Sequence, residues 1–497
     1  MPKGSAWPLI KIGGMEGLYS RTRRSGYMAG STIEVINPAS GRAVGKVPDL
    51  TLEQVRDAID TSYSALGAVQ SFTIAERASM LRSVSQRILA SADELASTMT
   101  KEAGRPLASS KGEIARTAQI FDLVASDLRS VFEGEFVPLE AYEYPKGNRK
   151  RIAFVTREPV GVVGTITPFN FPASSFAHKV APALAVGNTV VHKPTALAPL
   201  TQLKIAALVK EAGFPEGSVS FVTGKSSMIG NEFVENPRVA MISFTGSESV
   251  GLDLAGRAVA KGKRVIMELG GSDAQIVLED ADLDRAAEAA VFGRFDYAGQ
   301  FCNSTKRLVV RAEVAARFGE KLTERVRRLK VGDPMELDTS VGPLISREAV
   351  DSMREFVADA RRAGAKVVYE GSVPAGSAGY FFPPTVIHGD RTMRISREEG
   401  FGPILPIIEV DSDEEAVAEA NSTDYGLDAA IFSRDFSRAF RMASKLKAGT
   451  VIINDTTRLR WDGLPFGGVK KSGIGREGTK STMMEMTESK IVEYTLD

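Results

Sequence analysis

The sequence predicts an α/β protein centred on a doubly wound parallel sheet. Three observations carry that reading. From Gly161 to Gly271, short apolar runs alternate with runs whose apolar residues recur at helical spacing, the pattern of strand–helix–strand units. The breaks between runs are short and rich in Gly and Pro, so successive elements are neighbours in space. The 497 residues exceed what one hydrophobic core organises, which calls for two or more domains.

Taken in order, the chain opens with "MPKGSAWPLIKIGGMEG", which lacks the apolar centre of a secretory signal, and the stretch to about Ala29 reads as a frayed or lightly packed terminus. "STIEVINPASGRAVGKVPDLT" alternates apolar and polar residues around a Pro-Ala-Ser-Gly turn and predicts strands. Thr51 to about Phe132 predicts a long helical region. "GEFVPLEAYEYPKGNRKRIAFVTREPVGVVG" is β-like with a charged first half, as expected of an exposed arm or edge ribbon. "GVVGTITPF", "NTVVHKP", "SVSFVTG", "VAMISFTG" and "KRVIMELGG" then predict strands. "ASSFAHKVAPALAVG", "LAPLTQLKIAALVKEAG" and "SESVGLDLAGRAVAKG" predict helices between them. In such sheets ligands sit at the C-terminal strand ends. Those ends carry Asn170, Lys193, Gly224, Gly246, Ser247 and Glu268. After Gly271 a second α/β region runs through the strand "DAQIVLEDAD", the helix "LDRAAEAAVFGRFDYAG", Cys302, the strand "KRLVVRAE" and on to "GTVIIND". "KIVEYTLD" alternates like an edge strand.

Composition narrows the function. Lys and Arg number 62 against 62 Asp and Glu, so no basic excess points to nucleic acid or an anionic membrane. No apolar run approaches the ~18 residues of a bilayer span. One cysteine excludes an intrachain disulfide and fits a reducing, cytoplasmic setting. With three histidines and one cysteine scattered along the chain, no zinc site of the usual kind is expected.

Cys302, in "YAGQFCNSTKR", is the single thiol. A lone cysteine is more often a small buried apolar residue than a nucleophile, and Glu268 alone would read as a solvated strand-end carboxylate. Their setting changes the reading. "ITPFNFP", "VVHKPT", "ISFTGSESVG", "VIMELGGSDA", "GQFC", "EEGFGPILP" and "LPFGGVKKSGIGREG" occur in this order over some three hundred residues. On these motifs the chain resembles the NAD(P)-dependent aldehyde dehydrogenases, from about Ile33 to the C-terminus.

The resemblance implies the roles. Cys302 would be the nucleophile, adding to the aldehyde carbonyl. Asn170 and the Cys302 N–H would steady the developing alkoxide. Glu268 would be the base that activates water against the resulting thioester. Cofactor contacts would come from Ile166, Thr167, Pro168, Phe169, Lys193, Thr195, Ala196, Gly224, Lys225, Phe244, Thr245, Gly246, Ser247, Val250 and Leu269. Glu399 and Phe401 would hold and flank the nicotinamide ribose. NAD-selective members usually read Lys-Pro-x-Glu, with the Glu accepting from the ribose 2′-hydroxyl. Here "KPTALAP" puts Ala196 in its place, so NADP is expected to be preferred, with NAD as an alternative.

For the aldehyde pocket the expected lining is Phe176, Phe295, Phe301, Asn303 and Trp461, with Phe169 beside them. Arg116, Arg294, Arg458 and Arg460 are candidates for an anion clamp. Relatives acting on phosphorylated aldehydes often carry Arg before the cysteine, and Phe301 argues against that substrate. A semialdehyde acid, a CoA-acylating reaction and a non-catalytic protein of this fold stay open as alternatives. The expected parts are a dinucleotide-binding domain over 1–136 and 158–267, a catalytic domain over 268–480, and an oligomerisation arm over 137–157 and 481–497. The arm implies a homo-oligomer, a dimer or tetramer.

Overall fold

Five parallel strands, buried along nearly their whole length, make the first sheet of the computed structural model, which describes residues 31–496. They are Arg264–Glu268, Val239–Thr245, Val162–Ile166, Thr189–Lys193 and Val219–Phe221, in that spatial order. Continuous Val/Ile runs suit such strands because helices cover both faces. The chain runs outward from Val162–Ile166 to one side, then returns to build Val239–Thr245 on the other. The gap between those two strands is therefore the switch point, and their C-terminal ends frame a ligand crevice. The reading of the first 29 residues, and the start of the first domain segment, lie outside the described residues.

The helical region resolves into four helices, Leu52–Ser71, Ile74–Ala90, Ala92–Ala103 and Leu107–Val131. Two starts are capping boxes: Thr51 with Gln54, and Thr73 with Glu76. One helix was absent from the expectation, Ser226–Glu235, whose short apolar face (Ile229, Phe233, Val234) lies within a polar sequence.

The second sheet has seven strands: Lys366–Glu370, Thr385–His388, Ile404–Val410, Thr305–Arg311, Asp273–Val277, Asp428–Phe432 and Thr450–Ile453. All pair in parallel except the Lys366–Glu370 edge. A three-stranded antiparallel ribbon stands apart, with Arg151–Pro159 between Glu135–Val137 and Thr487–Thr495.

The segment boundaries shift. The ribbon strands begin at Glu135 and run to Pro159, and the charged stretch between them forms two short 3₁₀ turns instead of strand. Residue 481 falls inside the helix Thr479–Glu485, and Met483 and Met486 at its end are buried in the first core. Gly473–Ile474 also adds an antiparallel edge beside Glu268 and Met267. The chain thus re-enters the first sheet before the ribbon starts.

Candidate active site

The turn before Cys302 explains the sequence "YAGQ". Helix Leu283–Phe295 ends, and Tyr297, Ala298 and Gly299 follow in the left-handed region at φ 48°, 53° and 71°. For the first two this is a sparsely populated conformation, of the kind retained when surroundings over-determine it. They do so here. The Tyr297 hydroxyl donates to Ala103 O at 2.6 Å. Gln300 Nε2 donates to Tyr297 O and Pro343 O, each at 3.2 Å, and its Oε1 accepts from Ile345 N at 2.9 Å. A Cβ at Gly299 would lie 2.6 Å from Arg294 O and 2.7 Å from Gly402 O, so only glycine fits. The result is a rigid bend that delivers Cys302 to the wall of a cavity of about 770 Å³.

Glu268 and Asn170 line the same cavity, as does Asn303. Asn170 follows the strand Val162–Ile166 and precedes helix Pro172–Val186, and Glu268 ends its strand. The three residues expected to act together are therefore brought together by the C-terminal ends of two strands and one strained turn. Cys302 opens partly to the cavity, and its thiol is pushed up to about 12, chiefly by burial. Lys306 opposes that rise, while Asp273, Glu268 and Glu399 add to it. Glu268 is 4% exposed and neither carboxyl oxygen has a hydrogen-bond partner among the described residues. Burial first, then the nearby Glu477 carboxylate, holds its pKa well above the usual range, against the pull of Arg460, Lys179 and Arg476. The "FGG" motif accounts for the tight fit around it. Gly467 sits at φ 152°, and a Cβ there would lie 2.8 Å from Glu268 Oε1.

The expected pocket lining is largely corrected. Phe176 is fully buried in the first core, edge-on to His192 at 4.9 Å. Phe295 is buried in the second core. Phe301 turns away from the cavity, against Phe171 at 4.9 Å and under the Arg458 guanidinium at 3.5 Å. Trp461 is 57% exposed and outside the cavity wall. Aromatic residues next to a nucleophile in sequence need not face it. The aromatic walls are instead Phe171, Phe292 and Phe466. Phe171 directly follows the "FN" of its motif, so the motif could have flagged it; Phe292, 51% exposed on a helix, carried no signal.

Arg116, Arg458 and Arg460 do line the cavity, whereas Arg294 is buried and donates to Ile404 O, Gly400 O and Ser304 Oγ at 2.7, 2.7 and 3.0 Å. Each lining arginine of the inner cavity is paired. Arg116 Nε donates to Asp462 Oδ2 at 2.9 Å, and Arg458 Nη1 to Asp296 Oδ2 at 2.5 Å. Arg460 Nη2 donates to Glu477 Oε2 at 3.1 Å, and Arg105 pairs with Glu113, whose other oxygen accepts from the first N–H groups of helix Pro172–Val186. His178 also reaches Asp462, at 2.9 Å, and burial holds its imidazole down to about 4, so it stays neutral near pH 7.

At the crevice, helix Glu248–Ala260 starts at Ser247 with no side-chain cap, leaving its first N–H groups bare. Thr245, two residues before Ser247, lines the same cavity as Cys302, and its Oγ1 is buried without a partner among the described residues. Phe244 and Leu269 are buried behind the turn, Gly246 lies on it, and Val250 is exposed on the helix. Ile166, Pro168 and Phe169 are half-buried at the neighbouring strand end, while the Thr167 hydroxyl turns inward to Gln202 Oε1 at 2.7 Å. Lys193 Nζ donates to Ser226 Oγ at 2.7 Å, beside the likewise uncapped start of helix Ser226–Glu235. Burial lowers Lys193 to about 8. Thr195 and Ala196 are half-buried on the loop after Lys193, Gly224 is buried, and Lys225 is exposed. Glu399 Oε1 accepts from Gly271 N at 3.0 Å, and the Phe401 ring meets Phe169 edge-on at 6.0 Å. Among the described residues no group of three or more His, Cys, Asp or Glu could hold a metal ion, and no helix is long and apolar enough to cross a membrane.

Comparison with known proteins shows the family. The model of the aldehyde dehydrogenase family matches residues 27–492. The chain is 39% identical to the succinate-semialdehyde dehydrogenase [NADP(+)] GabD of Escherichia coli (strain K12), over 93% of this chain and 94% of that one. Among solved structures, the glyceraldehyde-3-phosphate dehydrogenase GapN from Methanocaldococcus jannaschii, complexed with NADP, matches at 38% identity with a TM-score of 0.88, covering 93% of this chain and 99% of that chain. An NAD-dependent aldehyde dehydrogenase from Sinorhizobium meliloti matches at 36% identity with a TM-score of 0.90, covering 94% and 92%.

Proposed function

The chain belongs to the aldehyde dehydrogenase family and is an NAD(P)-dependent oxidoreductase acting on an aldehyde, and from that premise we propose that its substrate is an uncharged aldehyde with an apolar body, oxidised to the acid with NADP preferred. The observation that carries the substrate reading is the pairing of every inner-cavity arginine with a carboxylate of the chain itself. Arg458 Nε and Arg460 Nε are buried without a hydrogen-bond partner among the described residues, but a substrate carboxylate that took over a paired guanidinium face would have to displace Asp462, Asp296 or Glu477, and breaking such a pair leaves a buried charge uncompensated. Phe171, Phe292 and Phe466 offer instead an apolar surface. A semialdehyde acid is the second reading, favoured by the name of the E. coli relative. Aldehydes matched in length, with and without a terminal carboxylate, decide between them. The uncharged member is expected to show the higher kcat/KM, and a preference for succinate semialdehyde over its uncharged analogue would overturn this reading.

In the proposed mechanism the Cys302 thiol gives its proton to solvent or a nearby base, and the thiolate so formed adds to the aldehyde carbon, its electron pair making the C–S bond while the carbonyl π pair moves to oxygen. Asn170 and the Cys302 N–H donate to the oxygen as it gains charge. The bound dinucleotide supplies the hydride acceptor. Water then attacks the thioester left on Cys302, Glu268 takes a proton from that water, and the acid is released with the thiol restored. The same Glu268 argues against a CoA-acylating reaction, which needs no water-activating base.

The crevice residues fit the cofactor. Bare N–H groups at the start of helix Glu248–Ala260 suit a pyrophosphate. Lys193 and Ser226, at a second uncapped helix start, would hold a 2′-phosphate beside Ala196. For Ala196→Glu, a carboxylate accepts from the NAD 2′-hydroxyl, a gain of ~1.5–3 kcal/mol, and repels the phosphate of NADP. The ratio of kcat/KM for NADP over NAD is expected to fall at least about tenfold. An unchanged ratio would remove Ala196 from the 2′ position.

We also infer a homo-oligomer, a dimer or tetramer, working in the cytoplasm. The ribbon exposes Phe154 on its central strand, Phe136 on one edge strand and Ile491, Val492 and Tyr494 on the other, apolar surface on a sheet with two unpaired edges. Sedimentation at micromolar concentration is expected to give a multiple of 53.3 kDa; a mass of one chain contradicts it.

A further inference from the structure

The strand after Cys302 begins with a buried lysine that doubles back under the nucleophile. Lys306 is 1% exposed. Its Nζ donates to Phe301 O at 2.9 Å and to Cys302 O at 2.5 Å, and lies 3.5 Å from Glu399 Oε1. The Phe401 ring centre is 6.0 Å away. An ammonium is costly to bury, and a neutral residue could hold a strand in place at lower cost. The charge here meets the two carbonyls that flank the nucleophile.

The Phe301 carbonyl belongs to the same peptide group as the Cys302 N–H. In a planar trans peptide the two point in opposite directions. Fixing the carbonyl on Lys306 therefore fixes the N–H on the far side, away from the lysine. Donation from a cation into that carbonyl also polarises the peptide and strengthens its N–H as a donor. The Cys302 N–H donates to no other group among the described residues. Of the charged groups that act on the thiol, Asp273, Glu268 and Glu399 are carboxyls and Lys306 is the cation. Lys306 is itself faced by Asp273 from the adjoining strand, by Asp428 from the strand beyond it and by Glu399 from the loop before Ile404–Val410.

We propose that Lys306 is a positioning residue of aldehyde oxidation: its ammonium orients and polarises the Phe301–Cys302 peptide so that the Cys302 N–H meets the forming oxyanion, and it supplies the fixed positive charge behind the thiolate. This rests on the reading of Cys302 as nucleophile. The role is distinct from that of Asn170, since Lys306 acts through the backbone and touches no substrate.

The test uses the full chain with NADP and three variants, Lys306→Met, Lys306→Gln and Lys306→Arg. Two quantities are read: the pre-steady-state burst of reduced cofactor, and the pH dependence of Cys302 alkylation by iodoacetamide. In Lys306→Met the burst rate is expected to fall about tenfold or more, and the alkylation midpoint to rise by about one pH unit. Because Lys306 also lies 3.5 Å from Glu399, cofactor affinity is titrated in each variant and the burst is read at saturating NADP. Lys306→Arg keeps the charge and is expected to restore the alkylation midpoint. Lys306→Gln keeps a donor without charge, so it remains informative if the methionine variant does not fold; its midpoint is expected to rise likewise. An alkylation profile unchanged in a folded Lys306→Met or Lys306→Gln, with a burst within about threefold of wild type, overturns the proposal. Cys302→Ala in parallel separates the failures: if it keeps its burst, the nucleophile reading itself is wrong.

Discussion

Cys302→Ala is expected to lower kcat for aldehyde oxidation by at least about a thousandfold, with cofactor affinity nearly unchanged. The argument starts from the chemistry. An aldehyde carbonyl is planar and holds its hydrogen firmly; addition of a thiolate makes a tetrahedral centre from which hydride can leave. Alanine offers no atom for that bond. The neighbouring groups, Asn170 and Glu268, stabilise or deprotonate species that exist only once the bond has formed, so they cannot substitute for it. The fold should tolerate the change, because Cys302 is half-exposed and the bend that carries it is held by Tyr297, Gln300 and Gly299 and not by the thiol. Cys302→Ser is expected to fail as well, since an alkoxide is far harder to form than a thiolate; His178, which lines the cavity, has its Nε2 held by Asp462, and His192 is buried between Thr165 and Gln202. The measurement is steady-state reduction of cofactor alongside equilibrium cofactor titration. Turnover within about tenfold of wild type in either variant would remove Cys302 from the mechanism.

How far the sequence speaks depends on the kind of feature. The parallel sheet was legible because its strands are continuous apolar runs separated by glycine and proline, and burial on both faces demands such runs. Helix Ser226–Glu235 was not, since four apolar residues in ten, in two adjacent pairs, leave no clear period and its start has no capping side chain. Cys302, Glu268 and Asn170 stood out because each lies in a motif at a strand end or turn, where topology converges them. The cavity wall did not. Whether Phe301 or Phe171 faces the substrate depends on the twist of a left-handed turn that no local pattern encodes. The arginines were visible as residues but their pairing was not, because Asp462 lies 346 positions from Arg116 and Asp296 lies 162 from Arg458. Lys306 carried the strongest chemistry with the least signal, as one lysine entering an apolar strand.

Glu268→Gln is expected to leave a burst of reduced cofactor followed by a steady state slower by about a hundredfold or more. The substitution keeps the shape and removes the base. Thioester formation on Cys302 does not need a carboxylate at this position, so the first turnover proceeds; attack by water does, so acyl-enzyme accumulates. The pH dependence has a definite sign. Burial and the Glu477 carboxylate hold Glu268 well above the ordinary carboxylate range, and only its deprotonated form can accept a proton. Steady-state turnover in wild type is therefore expected to climb as pH rises through that raised value, and this limb should vanish in Glu268→Gln. Stability moves the other way. A carboxyl whose pKa is higher folded than unfolded binds its proton more tightly in the folded state, so its contribution is full below the unfolded value of ~4.3 and is lost as pH rises through the folded one. Neither Glu268 oxygen has a partner among the described residues to offset its charge. Glu268→Gln is thus expected to match the wild-type Tm at low pH and to exceed it above the raised pKa. Mass spectrometry of the quenched reaction checks the trapped acyl group on Cys302, and thermal unfolding across the same pH range checks the linkage. A loss of turnover with no burst and no acyl adduct would place Glu268 before the thioester, in activation of the thiol; a Tm below wild type at high pH would mean that its carboxylate is satisfied in the fold by a partner such as Lys179 or Arg476.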